Sequence, residues 1–191
     1  MTTSEPQPVR WTRDEYFRLC EAGYFSDRRV ELIGGDIIEM PAQYDLHLAG
    51  IDLTANALQA AVGSGFWVRR QGTLDLSPHG VPDPDVAVVP GGPSGARRTV
   101  PTSALLVVEV SDSSLIFDRT RKGSLYAAAG LADYWIVNLV QRQLEVCRNP
   151  AADAAQPFGF AYASRTILDP GDAAAPLAAP NAQVAVADLL P

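Results

Sequence analysis

One lysine, Lys122, occurs among the 15 lysines and arginines of the chain. Leu125, Tyr126 and Ala129 follow it at spacings of three, four and seven, which places its ammonium on the apolar stripe of a helix. An unpaired charge there is costly, so something negative is expected to face it. Two carboxylates are themselves poorly placed for solvent. Glu109 lies within Ala104-Leu-Leu-Val-Val-Glu-Val110, the most apolar strand-like run, and Asp85 directly precedes Val86-Ala-Val-Val89. If these runs are adjacent strands, Asp85 and Glu109 can converge on a hard cation such as Mg²⁺, with the Val110 carbonyl as a further oxygen ligand. Lys122 would then steady or help deprotonate an attacking water, or neutralise charge on a phosphoryl oxygen. The combination fits metal-assisted phosphodiester hydrolysis. Plainer readings stand beside it: a structural Glu109–Lys122 ion pair, Asp85 as a strand-end residue, and Asp83 as the ligand instead.

The elements that must position these groups are legible in outline. Thr12-Arg-Asp-Glu15 is a capping box opening a short helix that ends at Gly23. Val30–Ile33 and Asp36–Met40, separated by Gly34-Gly35, predict a hairpin. Residues 45–62 predict a helix with His47, Ile51, Ala55, Leu58 and Val62 along one side. Phe66–Arg70, Leu74–Leu76 and Val86–Val89 read as strands, the last after a Pro82–Asp85 turn. The apolar run at 104–110 reads as a strand covered on both faces. Asp118 can cap the helix that carries Lys122, and Gly130 can end it. Tyr134–Val137 and Leu144–Cys147 are strand-like, so strand, helix and strand predict a βαβ crossover within a mixed sheet. Residues 150–157 and 170–182 read as loops, with one more strand at Phe158–Leu168 and a closing segment at Val184–Leu190.

Bulk properties bound the function. The 191 residues suit one domain, with a core at about 12–148 and C-terminal decoration over 149–191. No run approaches the roughly 18 apolar residues of a membrane helix, and no secretory signal is visible. Cys20 and Cys147 form no metal or redox spacing, which makes the cytoplasm the default location. The formal charge of −7 argues weakly against nucleic acid, although residues 100–149 balance at five acids and five bases. The bias toward Ala, Gly, Pro and Arg looks like GC-rich coding, so a lysine retained at 122 hints that arginine would not serve there.

Together, Pro84-Asp85, Glu109-Val-Ser-Asp-Ser-Ser114, Asp118-Arg119, Lys122, Tyr126, Gly130 and Asp133-Tyr-Trp-Ile-Val137 resemble the Uma-two family of restriction-endonuclease-type proteins, within the PD-(D/E)XK nuclease superfamily. Glu31-Leu-Ile-Gly-Gly35 and His47 resemble its N-terminal pattern, so the likeness spans roughly residues 12–148, with a vaguer one at Val184–Leu190. The resemblance implies an α/β, restriction-endonuclease-like core: a mixed twisted sheet flanked by helices, with an N-terminal helix and β-hairpin. It also implies DNA cleavage dependent on Mg²⁺, for which Mn²⁺ can substitute, with Asp85 and Glu109 as metal ligands. The usual lysine position, two after the glutamate, is Ser111 here, and Lys122 on the following helix would supply the ammonium instead. Glu31 matches an early acidic position that completes some such sites. Gly34 and Asn138 depart from the pattern, each standing where aspartate is common.

Several residues admit two readings. Glu31 is a site member or an outward-facing strand residue, and His47 a proton-handling group or a core histidine. His79 reads as a loop residue, and Tyr134-Trp135 as core rather than a base-stacking platform. Arg69-Arg70, Arg97-Arg98 and Arg119 with Arg121 could grip phosphates or simply face solvent. The expected function is a DNA endonuclease acting as a homo-oligomer. The alternatives are a catalytically inactive nucleic-acid-binding or scaffold protein retaining the fold, and a metal-dependent hydrolase acting on another substrate.

Overall fold

The computed structural model describes residues 5–95 and 99–191. In chain order the elements are α1 (Arg13–Glu21), β1 (Val30–Ile33), β2 (Asp36–Glu39), α2 (Asp45–Val62), β3 (Phe66–Arg70), β4 (Gly80–Val81), β5 (Val86–Pro90) and β6 (Leu106–Ser111). A helical segment follows, built from α3 (Leu115–Phe117), a π-turn (Asp118–Lys122) and α4 (Gly123–Ala128). Then come β7 (Asp133–Asn138), β8 (Gln143–Ala152), β9 (Phe160–Leu168), β10 (Ala173–Ala174) and β11 (Val184–Ala185), before a last 3₁₀ turn. The main sheet has six strands in the order β3-β5-β6-β7-β8-β9. Only β6 and β7 run parallel, joined by the helical segment as the crossover; the remaining neighbours are antiparallel. A second sheet, β2-β1-β4, carries the N-terminal hairpin.

Alternation along β6 sorts the two faces of the main sheet. Leu106, Val108 and Val110 join the apolar cluster beneath α2, with Ile51, Ala55, Leu58 and Val62. Val107 belongs to the other cluster, with Leu125 and Tyr126 of α4. Glu109 and Ser111 share that second face by the two-residue period of a strand. All six residues of β6 are buried, as a strand covered on both sides requires.

Gly50 sets how closely α2 approaches this strand. A Cβ built there would lie 2.9 Å from Cγ1 of Val110. Ala normally improves a helix interior by about 1 kcal/mol over Gly. Here Gly50→Ala should instead lower stability by about 1–2 kcal/mol, because β-branched Val110 is walled in and overpacking costs that much or more. Chemical denaturation of the two proteins checks the sign.

The capping box at Thr12 and Glu15 forms as expected. The hairpin does too, with Gly34 and Gly35 at φ 60° and 84°, as a tight two-residue turn requires. Three expectations are corrected. Leu74–Leu76 is no strand; both leucines are buried, but the segment bonds across a loop to Pro82 and Gly80. The segment it faces includes Gly80–Val81, a two-residue strand paired with β1. β8 runs on to Ala152, so residues 150–152 pair with β9 despite Pro150 and the alanines. The helix with Lys122 begins at Leu115, after Ser114, so Asp118 lies inside it and is no cap. The Gly123 amide reaches back five residues to the Asp118 carbonyl, which also accepts from the Tyr134 hydroxyl at 3.0 Å. That wider turn leaves both Asp118 and Lys122 buried. Gly130, at φ 74°, does terminate the segment.

Candidate active site

The Lys122 ammonium is 1% exposed and donates to Oε1 of Glu109 at 2.9 Å and to Oε1 of Glu31 at 3.2 Å. Glu109 projects from the middle of β6, Glu31 from the second residue of β1, and Lys122 from the end of the π-turn. Tyr126, four residues after Lys122 on the same helix face, donates its hydroxyl to Glu109 Oε1 at 2.6 Å. Two anions therefore face this one ammonium, and the outward-facing reading of Glu31 is wrong: it is fully buried. Its Oε2 also lies 3.2 Å from the ammonium, but outside hydrogen-bond geometry, and is a buried oxygen without a hydrogen-bond donor.

Asp85 reaches the same place from the sheet side. β5 and β6 are neighbours, and their ladder ends at Val86 opposite Val108. Beyond that point the Val110 amide donates to Asp85 Oδ2 at 2.9 Å in place of a ladder bond. In an extended strand the N–H and C=O of one residue share an edge, so the Val110 carbonyl is turned toward Asp85 as well. His47, in the first turn of α2, sets Nε2 3.3 Å from Asp85 Oδ1. Gln43 lies 2.9 Å from the same imidazole nitrogen and is itself held by Gln71 at 2.7 Å. Asp85, Glu109, Lys122, His47 and Asp118 all line a cavity of about 40 Å³. Asp83 is half-buried in the preceding turn and does not line it.

Buried charge around Lys122 does not balance. Asp85, Glu109, Glu31 and Asp118 are buried around Lys122, with partly exposed Arg29 at the rim. Burial pushes the Glu109 carboxyl well above its ordinary range, and Lys122 only partly opposes it. Burial likewise raises Glu31 and Asp118, the latter although it accepts from the Ser111 and Ser114 hydroxyls. Asp85 is the exception. Burial raises it, but the His47 contact, Lys122 and the Val110 amide outweigh that and leave it below the ordinary carboxylate value. Burial also acts against the Lys122 charge, yet Glu109 and Glu31 more than offset it and its pKa rises.

These shifts set the pH dependence. A carboxyl raised in the folded state stabilises fully below its unfolded value, near 4.3 for Glu, and loses that contribution as pH rises through its folded value. Lys122, raised from a higher value, changes nothing until strongly alkaline pH. The depressed Asp85 acts the other way, but only as pH falls through the acid range. The metal-free protein should therefore be more stable near pH 5 than near pH 8, as thermal unfolding in EDTA across that range will show.

The arrangement suits a hard divalent ion. Its donors are oxygens and its buried carboxylates exceed its cations. Among the described residues no three His, Cys, Asp or Glu side chains converge as a preformed cage. Asp85 and Glu109 are the side chains that could hold such an ion, together with the Val110 carbonyl, and one or two carboxylates are usual for Mg²⁺.

The arginine pairs are largely committed elsewhere. Arg119 is bonded to buried Glu145, Arg121 to Asp36, Arg70 to Asn56 and Asp52, and Arg69 to the Thr73 carbonyl. Arg97-Arg98 lies outside the described residues. Tyr134 and Trp135 are core, at 1% and 0% exposure. Sequence reasoning missed Arg29, Gln43 and Asp118 as members of the site, and treated Tyr126 only as an apolar stripe residue. The spacing of Tyr126 from Lys122 was signal enough; Arg29 and Gln43 carry none, because only the packing of β1 and α2 brings them near.

Comparison with known proteins agrees with this architecture. A crystal structure from Anabaena variabilis ATCC 29413, described as a "putative nuclease belonging to DUF820", superposes with a TM-score of 0.68 at 15% identity, covering 93% of this chain and 96% of that one. At such identity the likeness establishes the fold, a restriction-endonuclease-like mixed α/β core. Among curated proteins none matches. The sequence profile of the Uma2 (Uma-two) family, described as "Putative restriction endonuclease", matches residues 13–187, nearly the whole chain. The chain belongs to the Uma2 family.

Proposed function

We propose that this protein is a metal-dependent endonuclease that hydrolyses DNA phosphodiester bonds at the Asp85–Glu109–Lys122 cavity. The observation that carries the reading is the excess of buried carboxylate oxygens around a single buried ammonium, on the fold and in the family described above. Asp85, Glu109 and the Val110 carbonyl would hold Mg²⁺, or Mn²⁺ in its place. When bound, such an ion would supply Lewis acidity for phosphodiester hydrolysis. The protein's own groups do the rest. Lys122 and Tyr126 fix the Glu109 carboxylate, leaving Lys122 directed at the place where negative charge develops on phosphate. Glu31 shares the ammonium and holds it in position. His47 orients Asp85 and is the one imidazole able to take or return a proton there.

DNA is the partner that this reading assigns, in a chain of one domain over 1–191 located in the cytoplasm. A homo-oligomer is the working form proposed, since two copies address two strands. No helix among the described residues is long and apolar enough to cross a membrane.

The test is nicking of supercoiled plasmid with Mg²⁺ or Mn²⁺. Cleavage by the unmutated protein, lost in EDTA and in Asp85→Ala, is the expected result. Intact DNA binding without any cleavage would instead identify a binding module that keeps the fold.

A further inference from the structure

Resting on that nuclease reading, we infer that Arg29 is the residue that grips the substrate's scissile phosphate at the mouth of the cavity. Its guanidinium lines the same cavity as Asp85, Glu109 and Lys122, and its side chain remains 30% exposed. Nη2 stands 3.9 Å from Glu31 Oε1 and 3.8 Å from Asp85 Oδ1, inside electrostatic range of both but beyond hydrogen-bond length. Those separations set it apart from its neighbours. Arg119 and Arg121 spend their donors on Glu145 and on Asp36, and Arg10 is bonded to Asp36 too. Among the described residues, Arg29 is the only partly exposed cation lining this cavity, and the donors of its fork make no hydrogen bond to protein.

The chemistry follows from charge and shape. Lys122 is too deep to meet an incoming phosphodiester first, whereas a partly exposed cation at the mouth can. A planar guanidinium offers two parallel N–H donors to the two non-bridging oxygens of one phosphate, a match that an ammonium cannot make. Its attachment just before β1 also fixes it relative to Glu31, since the Arg29 carbonyl accepts from the Met40 amide at 2.8 Å across the hairpin. Recognition through a backbone phosphate carries no base preference, so the contact serves any sequence that reaches the site.

The experiment compares the unmutated protein with Arg29→Lys and Arg29→Gln in three readouts: plasmid nicking with Mg²⁺, duplex binding with Ca²⁺ across a salt series, and calorimetric Mn²⁺ binding without DNA. For Arg29→Gln, nicking should fall about 10²-fold. Its duplex affinity should weaken, with the slope against log salt reduced by about one. Arg29→Lys should keep that slope but not recover the cleavage rate. Mn²⁺ binding should be as tight in both variants or tighter, because a cation near Asp85 has been removed or made more compact. Unchanged nicking and salt slope in Arg29→Gln would overturn the assignment and leave Arg29 as an internal counter-ion of Glu31 and Asp85. Weakened Mn²⁺ binding with an unchanged slope would also overturn it. Absence of nicking and DNA binding in the unmutated protein would count against the nuclease reading itself, and the assignment would fall with it.

Discussion

Lys122→Met should lose about 3–5 kcal/mol of stability at neutral pH, the range found when one partner of a buried charge pair is removed. Methionine nearly conserves the volume, so the loss reports charge and not a cavity. Without the ammonium, Glu109 and Glu31 face each other's charge with only Tyr126 and the more distant Arg29 to relieve them. They can escape by binding a proton. Doing so costs about 1.4 kcal/mol for each pH unit by which the carboxyl's folded pKa rises further than in the unmutated protein, as far as the working pH. The deficit should therefore shrink as pH falls toward 5. Urea denaturation at the two pH values measures it; a deficit independent of pH would mean that the carboxylates are not what Lys122 serves.

Glu109→Gln separates function from stability in the opposite way. The amide keeps the shape of the side chain and can still accept from Lys122 and Tyr126, while a buried negative charge is removed. One anion, Glu31, then remains in hydrogen-bond contact with the ammonium. Folding stability should change by less than about 1 kcal/mol, or rise, because replacing a poorly compensated buried charge by a neutral group is often neutral or favourable. Metal-dependent nicking should fall by about 10³-fold or more, beyond what one misplaced hydrogen-bond donor costs. A protein that is equally stable and inactive would show that Glu109 is kept for chemistry at the expense of the fold. An equally active Glu109→Gln would leave the Glu109–Lys122 contact as a structural ion pair.

How far the chain disclosed this site before folding depends on the residue. Lys122 was legible because a helix period of 3.6 put its charge among Leu125 and Tyr126, and Glu109 because it interrupts an otherwise apolar strand. Both anomalies are local. Asp85 was half-legible: Pro-Asp occurs twice in Pro82-Asp-Pro-Asp85, and only the register of β5 on β6 sets the second beside Val110. Glu31 could not be settled, since a four-residue strand shows no alternation when both its faces are covered. Asp118 was misread because a π-turn has no sequence period of its own, and a carboxylate before a helical stretch looks like a cap. Strands β4, β10 and β11 escaped for a simpler reason, being two residues long. The crossover from β6 to β7, by contrast, was visible in the order of the elements and fixed the parallel pair at the centre of the sheet.

Calorimetric titration of Mn²⁺ into the purified protein, beside Asp85→Asn and Glu109→Gln, addresses the oxygen cluster most directly. Binding by the unmutated protein that strengthens with pH and disappears in both variants is the expected outcome. No heat with the unmutated protein, or isotherms that the two substitutions leave unchanged, would contradict a metal site between Asp85 and Glu109.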